Sequence, residues 1–369
     1  MKWKLLRYCY IFLFLIGVCV RVAARCRVIA TIPVGDSPAG LAVTPDNRFV
    51  YVANNNNDGI PGDDTVSVIN AKTNKVLTTI SDPSFNEPYT VTMNAAGTIA
   101  YVTNSNGTTI TMINIATNTV IGTINGFDGP SGMAITPDGT TAYVNNYGGP
   151  FGVGSGNGTT VSVVNLKTNT IVGTITVGLA PASLAITVDG AFVYVINYVD
   201  GNPGTGTISI IKTSNNTVVG TIPGFSGPFS IAMTPNGKYA YITNFGSNNF
   251  SPVGTTVSAV DLKTNTISAT ITVGTQPSGI AITSDSRFVY VTIYNTLYLG
   301  PNFTDLTSGI GTVKIIDTCT NRLLPIVLVV GSSPANIALS HNDARAYVSN
   351  YRSNSVSVIN VLDKMWLKC

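Results

Sequence analysis

Hydrophobic and polar positions along this chain alternate in short runs, the period-two pattern of half-buried β-strands. The runs come in sets of four. An apolar strand opened by proline, as in Pro38-Ala-Gly-Leu-Ala-Val or Pro277-Ser-Gly-Ile-Ala-Ile, passes through a turn such as Thr136-Pro-Asp-Gly into a Tyr-Val-x-Asn strand. That second strand occurs at Tyr51, Tyr101, Tyr143, Tyr194, Tyr241, Tyr290 and Tyr347, 42 to 57 residues apart, reading Tyr-Ile-Thr-Asn at Tyr241 and Tyr-Val-Thr-Ile at Tyr290. A third strand starts at Thr65, Thr109, Thr160, Thr207, Thr256, Thr312 and Ser355. A turn, usually Lys-Thr-Asn, then leads to a fourth, such as Val120-Ile-Gly-Thr-Ile.

A four-stranded meander repeated at this period cannot bury both faces of its sheet alone and must stack on its neighbours in a ring. The expected fold is therefore all-β, a seven-bladed β-propeller of four-stranded antiparallel blades. Small residues at one inner-strand position, Ala42, Ala134, Ala185, Ala232, Ala281 and Ala338 with Thr92 in the remaining unit, suit a crowded axis. The seventh unit lacks a fourth strand, whereas residues 28–34 form a strand that no unit claims. Pairing the two closes the ring and removes exposed strand edges.

The Tyr-Val-x-Asn units resemble the YVTN-repeat propellers over about residues 27–360. The resemblance implies placement outside the cytoplasm or at the cell surface and binding of a ligand or partner, as in surface-layer and envelope members, and it brings no catalytic signature. The Trp-Asp dipeptide of another propeller family is absent, the two tryptophans being Trp3 and Trp366.

Residues 1–24 read as a signal peptide or an uncleaved anchor: Lys2, Lys4 and Arg7 precede an apolar run to Val20, and Val22-Ala23-Ala24 offers a cleavage site. Residues 25–362 are then the propeller and 363–369 a tail. A membrane is contacted only through the N-terminal segment if it stays uncleaved. The formal charge of +3 has no basic run beyond the first residues, so duplex nucleic acid is not an expected partner.

Chemistry is limited by inventory. The chain holds one His, His341, in an inner turn, and one Glu, Glu87. No nucleophile triad can be assembled, no cofactor is implied and an enzyme is not expected. Asp46, Asp138, Asp189, Asp285 and Asp343 repeat in the turn after the inner strand and read as turn formers. Asn54, Asn56, Asp58, Asp63 and Asp64 partly echo a calcium loop, without its closing Glu. Sequons occur at Asn106, Asn157, Asn215, Asn249 and Asn302. Among the cysteines after residue 24, Cys26 and Cys369 flank the closing strands and are the favoured disulfide, with Cys319 an alternative partner for Cys26.

In a meander the second-to-third-strand and inter-blade connections share one end of the ring, and here they are long and glycine-rich. The turns at the other end look too short to form a pocket. Five consecutive blades carry an aromatic just after the motif strand: Tyr147, Tyr198, Phe245, Tyr294 and Tyr351. Such a partial ring suits stacking on a sugar or gripping a peptide, and its spacing equally suits packing between blades. The leading functional expectation is an exported binding module for a protein or carbohydrate. The rivals are a surface-structural protein, a lactonase-like or quinone-dependent propeller enzyme, and a single-stranded DNA binder.

Overall fold

A computed structural model describes residues 26–56, 64–149, 156–198, 204–246, 253–294 and 309–362. These form 28 strands in seven four-stranded antiparallel sheets, each ordered from an inner strand to an outer one. Blade 1, for example, comprises Pro38–Val43, Phe49–Asn54, Thr65–Asn70 and Lys75–Ser81. Blade 7 takes its outer strand from the other end of the chain: Val28–Pro33 pairs antiparallel with Ser355–Asn360, with Ile32 opposite Val356. The closure expected from the incomplete last unit is the one observed.

The motif explains how blades join. Its tyrosine stands directly across from the small inner-strand residue, as in Ala42–Tyr51, Thr92–Tyr101 and Ala338–Tyr347. Those alanines were expected to relieve crowding at the axis; they leave room for the neighbouring ring, because directly opposed residues project from the same face of the sheet. All seven motif tyrosines are buried. Four reach into the following blade: Tyr143, Tyr194 and Tyr241 donate to the side-chain oxygens of Asn216, Asn265 and Asn321 at 2.6 Å, and Tyr51 to Asn118. Each acceptor has a left-handed φ of 51–55° in the turn before an outer strand. Asparagine fits twice there, since it tolerates that backbone and carries the acceptor.

The motif asparagine works within its own blade. Its amide donates to two hydroxyls of the third strand, Thr65 and Ser67 for Asn54, Thr160 and Ser162 for Asn146, Ser355 and Ser357 for Asn350. Second-strand hydroxyls also bind the inner strand of the following blade. Thr103 donates to the Ser131 carbonyl at 2.9 Å, Thr243 to Ser278 at 2.8 Å and Ser349 to Ala39 at 2.5 Å. Valine and isoleucine between these polar positions fill cores shared by adjacent blades, such as the cluster of Tyr194, Ile196, Ile210, Phe225 and Ile242. Close approach near the axis also needs glycine: a Cβ on Gly40 would lie 2.2 Å from the Tyr89 carbonyl of the next blade.

One turn assignment is corrected. In blade 7 the turn-forming acceptor is Asn342, which takes bonds from Ser340 and Ala344, whereas Asp343 occupies the following left-handed position. The Asp343 carboxylate instead accepts from the backbone N–H of Ser284 in blade 6, at 2.9 Å to one oxygen. A second correction concerns the cysteines. Cys26 is a free, buried thiol, so the expected Cys26–Cys369 bridge is not formed; Cys369 lies outside the described residues. Cys319 is disulfide-bonded, and since Cys26 is free its partner also lies outside them.

The reason is visible at the closure. Blade 6 has no asparagine turn to reach in blade 7, because the two chain ends stand where that turn would be. Tyr290 gathers both ends: its hydroxyl accepts from the Leu362 N–H at 2.8 Å and lies 4.0 Å from the Cys26 sulfur. Burial pushes the Cys26 thiol up to about 11, opposed by its hydrogen bond to Tyr290. Iodoacetamide at pH 8 should therefore leave Cys26 unmodified in the native protein and alkylate it on unfolding, as peptide mass mapping would read. Because the folded-state value is raised, the thiol's contribution to stability is complete below pH 9 and declines between about 9 and 11.

The inter-blade bonds predict an asymmetric mutant pair. Tyr194→Phe should cost about 1 kcal/mol by losing its partner across the junction. Tyr101→Phe should stay within about 0.5 kcal/mol, because the corresponding Asn169 side-chain oxygen accepts no bond from it. Chemical denaturation of both variants checks this, and equal costs would refute the assignment.

Candidate functional site

Each inner strand is entered the same way. Ser37, Glu87, Gly129, Ala180, Gly227, Gln276 and Ser333 all adopt left-handed φ values of 48–56° immediately before the strand's proline. Five of the seven are not glycine, so a mildly strained backbone is held at five of the junctions. Each carbonyl so turned accepts the N–H of the residue that follows the fourth motif position, which is Asn in six blades and Ile293 in blade 6: Asn55, Ser105, Tyr147, Tyr198, Phe245, Tyr294 and Tyr351. The five aromatics expected from the sequence are thus fixed by backbone hooks at the loop-bearing end.

Their burial differs. Tyr147, Tyr198 and Phe245 are 1%, 2% and 7% exposed, and the Tyr198 hydroxyl donates to the Gly246 carbonyl at 2.9 Å, so these three pack between blades. Tyr294 and Tyr351 are only partly buried. Two further aromatics join them that the sequence reading did not single out. Tyr89 and Phe229 take the second position of their inner strands, where other blades have Ala or Ser, and aligning the repeats would have exposed them. Both line an axial cavity of about 140 Å³ with Gly40, Gly132, Ser183 and Asn336.

The aromatics form a connected group. Phe229 stacks on Phe245 with centroids 5.1 Å apart, and Phe245 meets Tyr294 edge-on at 6.0 Å. On the other side, Tyr89 is half-buried; its phenol is held well above the usual tyrosine range by burial and then by the nearby Tyr147, Tyr351 and Tyr294. Tyr351 is likewise raised by burial, against a hydrogen bond with Ser37, and feels Tyr294 and the Glu87 carboxylate. Glu87 itself is 5% exposed, and its backbone N–H donates to Asp64 at 2.7 Å. Together these side chains make an aromatic floor at the loop-bearing mouth, bordered by carboxylates.

The remaining candidates fall elsewhere. Asn54 performs the repeat's own strand stitching, and Asn56 donates its backbone N–H to the Asp36 carbonyl. Asp58 and Asp63 lie outside the described residues, and among those described no group of three or more His, Cys, Asp or Glu could hold a metal. Asn157 and Asn215 are exposed, Asn106 is partly buried, and Asn249 and Asn302 lie outside the described residues, as do residues 1–24. No described helix is long and apolar enough to cross a membrane.

The tight-turn end also departs from expectation. A cavity of about 560 Å³ opens there between blades 4 and 5, lined by Asp189, Phe192, Val219, Asn236, Leu262 and Asn265. A second of about 410 Å³ lies between blades 7 and 1, lined by Asn47, Phe49, Lys72, Asn342 and Arg345. Short turns do form pockets, because adjacent sheets splay apart toward the rim. The two share their position in the repeat, the inner turns of neighbouring blades plus a third-to-fourth-strand turn. His341 sits at this end, its backbone N–H donating to Asn47 at 2.6 Å.

Comparison with known proteins agrees with this architecture. A family model described as "Lactonase, 7-bladed beta-propeller" matches residues 212–365. The Mycobacterium tuberculosis "Seven-bladed beta-propeller protein Rv1057" is 32% identical over 159 residues, 42% of this chain and 37% of that protein. The "PE-PGRS family protein PE_PGRS18" of the same organism is 48% identical over 60 residues, 16% of this chain and 13% of that one. The chain thus spans well under half the length of these curated relatives. In the solved hydrazine synthase of Kuenenia stuttgartiensis, a chain aligns over 89% of this protein and 96% of its own length, with a TM-score of 0.73 at 20% identity, a likeness of fold. The sequence matches and the shared fold put this chain among the seven-bladed β-propellers.

Proposed function

We propose that this chain is an exported, non-enzymatic binding module of the YVTN-repeat type that takes its partner on the loop-bearing end. The observation carrying this reading is the aromatic floor, partly open at Tyr89, Tyr294 and Tyr351 and fixed by left-handed hooks that recur in all seven blades. Rigid, amphipathic rings presented at little conformational cost are what a recognition surface needs. The cavities at the turn end follow from repeat geometry at blade junctions and hold no comparable grouping.

A propeller hydrolase is the second reading, favoured by the description of the matching family model. Against it stands the placement of the acid–base inventory. The chain's one His lies in an inner turn and its one Glu at the opposite end of the ring, so the two cannot share a site.

Substitution separates floor from core. Phe245→Ala, which empties a packed junction, should cost about 3–5 kcal/mol. Tyr294→Ala and Tyr351→Ala should leave the melting temperature nearer to native and lower binding to whichever probe is retained from peptide and glycan arrays by about tenfold or more. Variants that bind as well as the native chain would overturn the reading. Lactone hydrolysis by the native protein, abolished by Glu87→Gln, would establish the second.

A further inference from the structure

The connections of a closed meander go alternately to the two ends of the ring, and charge in this chain divides along with them. Among the described residues, Asp36, Asp64, Asp82, Glu87 and Asp128 lie in connections at the loop-bearing end, and Arg352 is the one cation there. Every described lysine except Lys314, in the middle of a strand, lies at the turn end. The aspartates at that turn end are mostly engaged in local structure, as Asp46 and Asp138 are by the hydroxyls and N–H groups of their own turns. At the loop end Asp64 and Asp82 accept backbone N–H groups and Asp36 accepts from the Asn354 amide, while Asp36 and Asp128 are exposed.

Among the described residues, the loop-end carboxylates also fall in one sector. Asp36, Asp64, Glu87 and Asp128 belong to the connections into and within blades 1 to 3. Phe229, Phe245, Tyr294 and Tyr351 occupy blades 5 to 7, with Tyr89 reaching the group from blade 2. Among the described residues, an acidic group therefore faces an aromatic one across the mouth.

We propose that this end recognises a basic polypeptide segment, one whose lysine or arginine side chains meet the acidic sector while an apolar or guanidinium side chain lies on the aromatic floor. This rests on the loop-end reading above and adds the sign and class of the partner. Both halves favour cations, the carboxylates by Coulomb attraction and the ring faces by their quadrupoles. A polyanion would meet net like charge at the same mouth, which disfavours the single-stranded DNA alternative. Spacing of the carboxylates over several connections suits an extended chain better than a single ammonium ion.

The test uses the full chain and three fluorescein-labelled peptides of equal length, one of alternating lysine with leucine and tyrosine, one with serine for lysine and one with glutamate for lysine. Fluorescence anisotropy at low and moderate salt should show the lysine peptide binding about tenfold or more tighter than the serine peptide, and the glutamate peptide weakest. The exposed pair Asp36→Asn with Asp128→Asn should weaken lysine-peptide binding several-fold and flatten its salt dependence, with an unchanged melting curve. Lys167→Gln with Lys263→Gln, at the turn end, should change neither. No preference for the lysine peptide, or a preference that survives the Asp36/Asp128 variant, overturns the inference. Should the serine or glutamate peptide bind best and Tyr351→Ala abolish it, the loop-end reading stands and the charge assignment falls. Loss of binding only in the Lys167/Lys263 variant would remove both.

Discussion

A propeller is held together at its blade junctions, and in this protein the junction is organised by one side chain, the motif tyrosine. Its ring needs a small residue across the inner pair, which accounts for alanine at six of those positions and threonine at the seventh. Where its hydroxyl crosses to the next blade, it meets an asparagine in a left-handed turn, so strand, turn and neighbouring blade are specified together. A buried phenol without a partner is costly, and at these four junctions the bond makes one blade's turn part of its neighbour's core. Blade 7 shows the constraint from another side. There Arg345 supplies the bond to Asn74 of blade 1 at 3.0 Å.

Ring closure meets the same requirement with different atoms. A meander that begins with its last outer strand leaves two chain ends where one turn should be, and Tyr290 binds the ends instead of an asparagine. Backbone pairing of Val28–Pro33 with Ser355–Asn360 then joins the last blade without an exposed edge between them. Cys26 is spent on this packing, a small buried hydrophobe beside Tyr290, and so is unavailable as a bridge partner.

The same backbone rules that build the ring also build its mouth. The hook before each inner strand turns a carbonyl to meet the next strand's end, and whatever side chain stands there is fixed at the loop-bearing end. In most blades the hook residue is small, but in blades 2 and 6 it is Glu87 or Gln276, both buried polar chains beside the aromatic group. A structural repeat thereby becomes a platform whose composition can vary blade by blade without altering the fold.

Blade number, strand order and the closing strand were legible in the sequence, because each depends on periodicity. Period-two alternation, a repeated tyrosine strand and one unclaimed strand leave a single economical ring. Side-chain partnership was not legible. The sequence shows Asp343 in a repeated turn, but only the fold reveals that it sits one position later and bonds to the neighbouring blade. Cys26 and Cys369 look paired by topology, while packing buries Cys26 against Tyr290. Five aromatics share a sequence position, yet three are core and two are partly open, and Tyr89 and Phe229 join them from other strands. Local pattern encodes which way a strand faces, since its period is a property of the chain alone. Which distant side chain occupies that space is set by how the sheets pack around the axis, and that is a property of the closed ring.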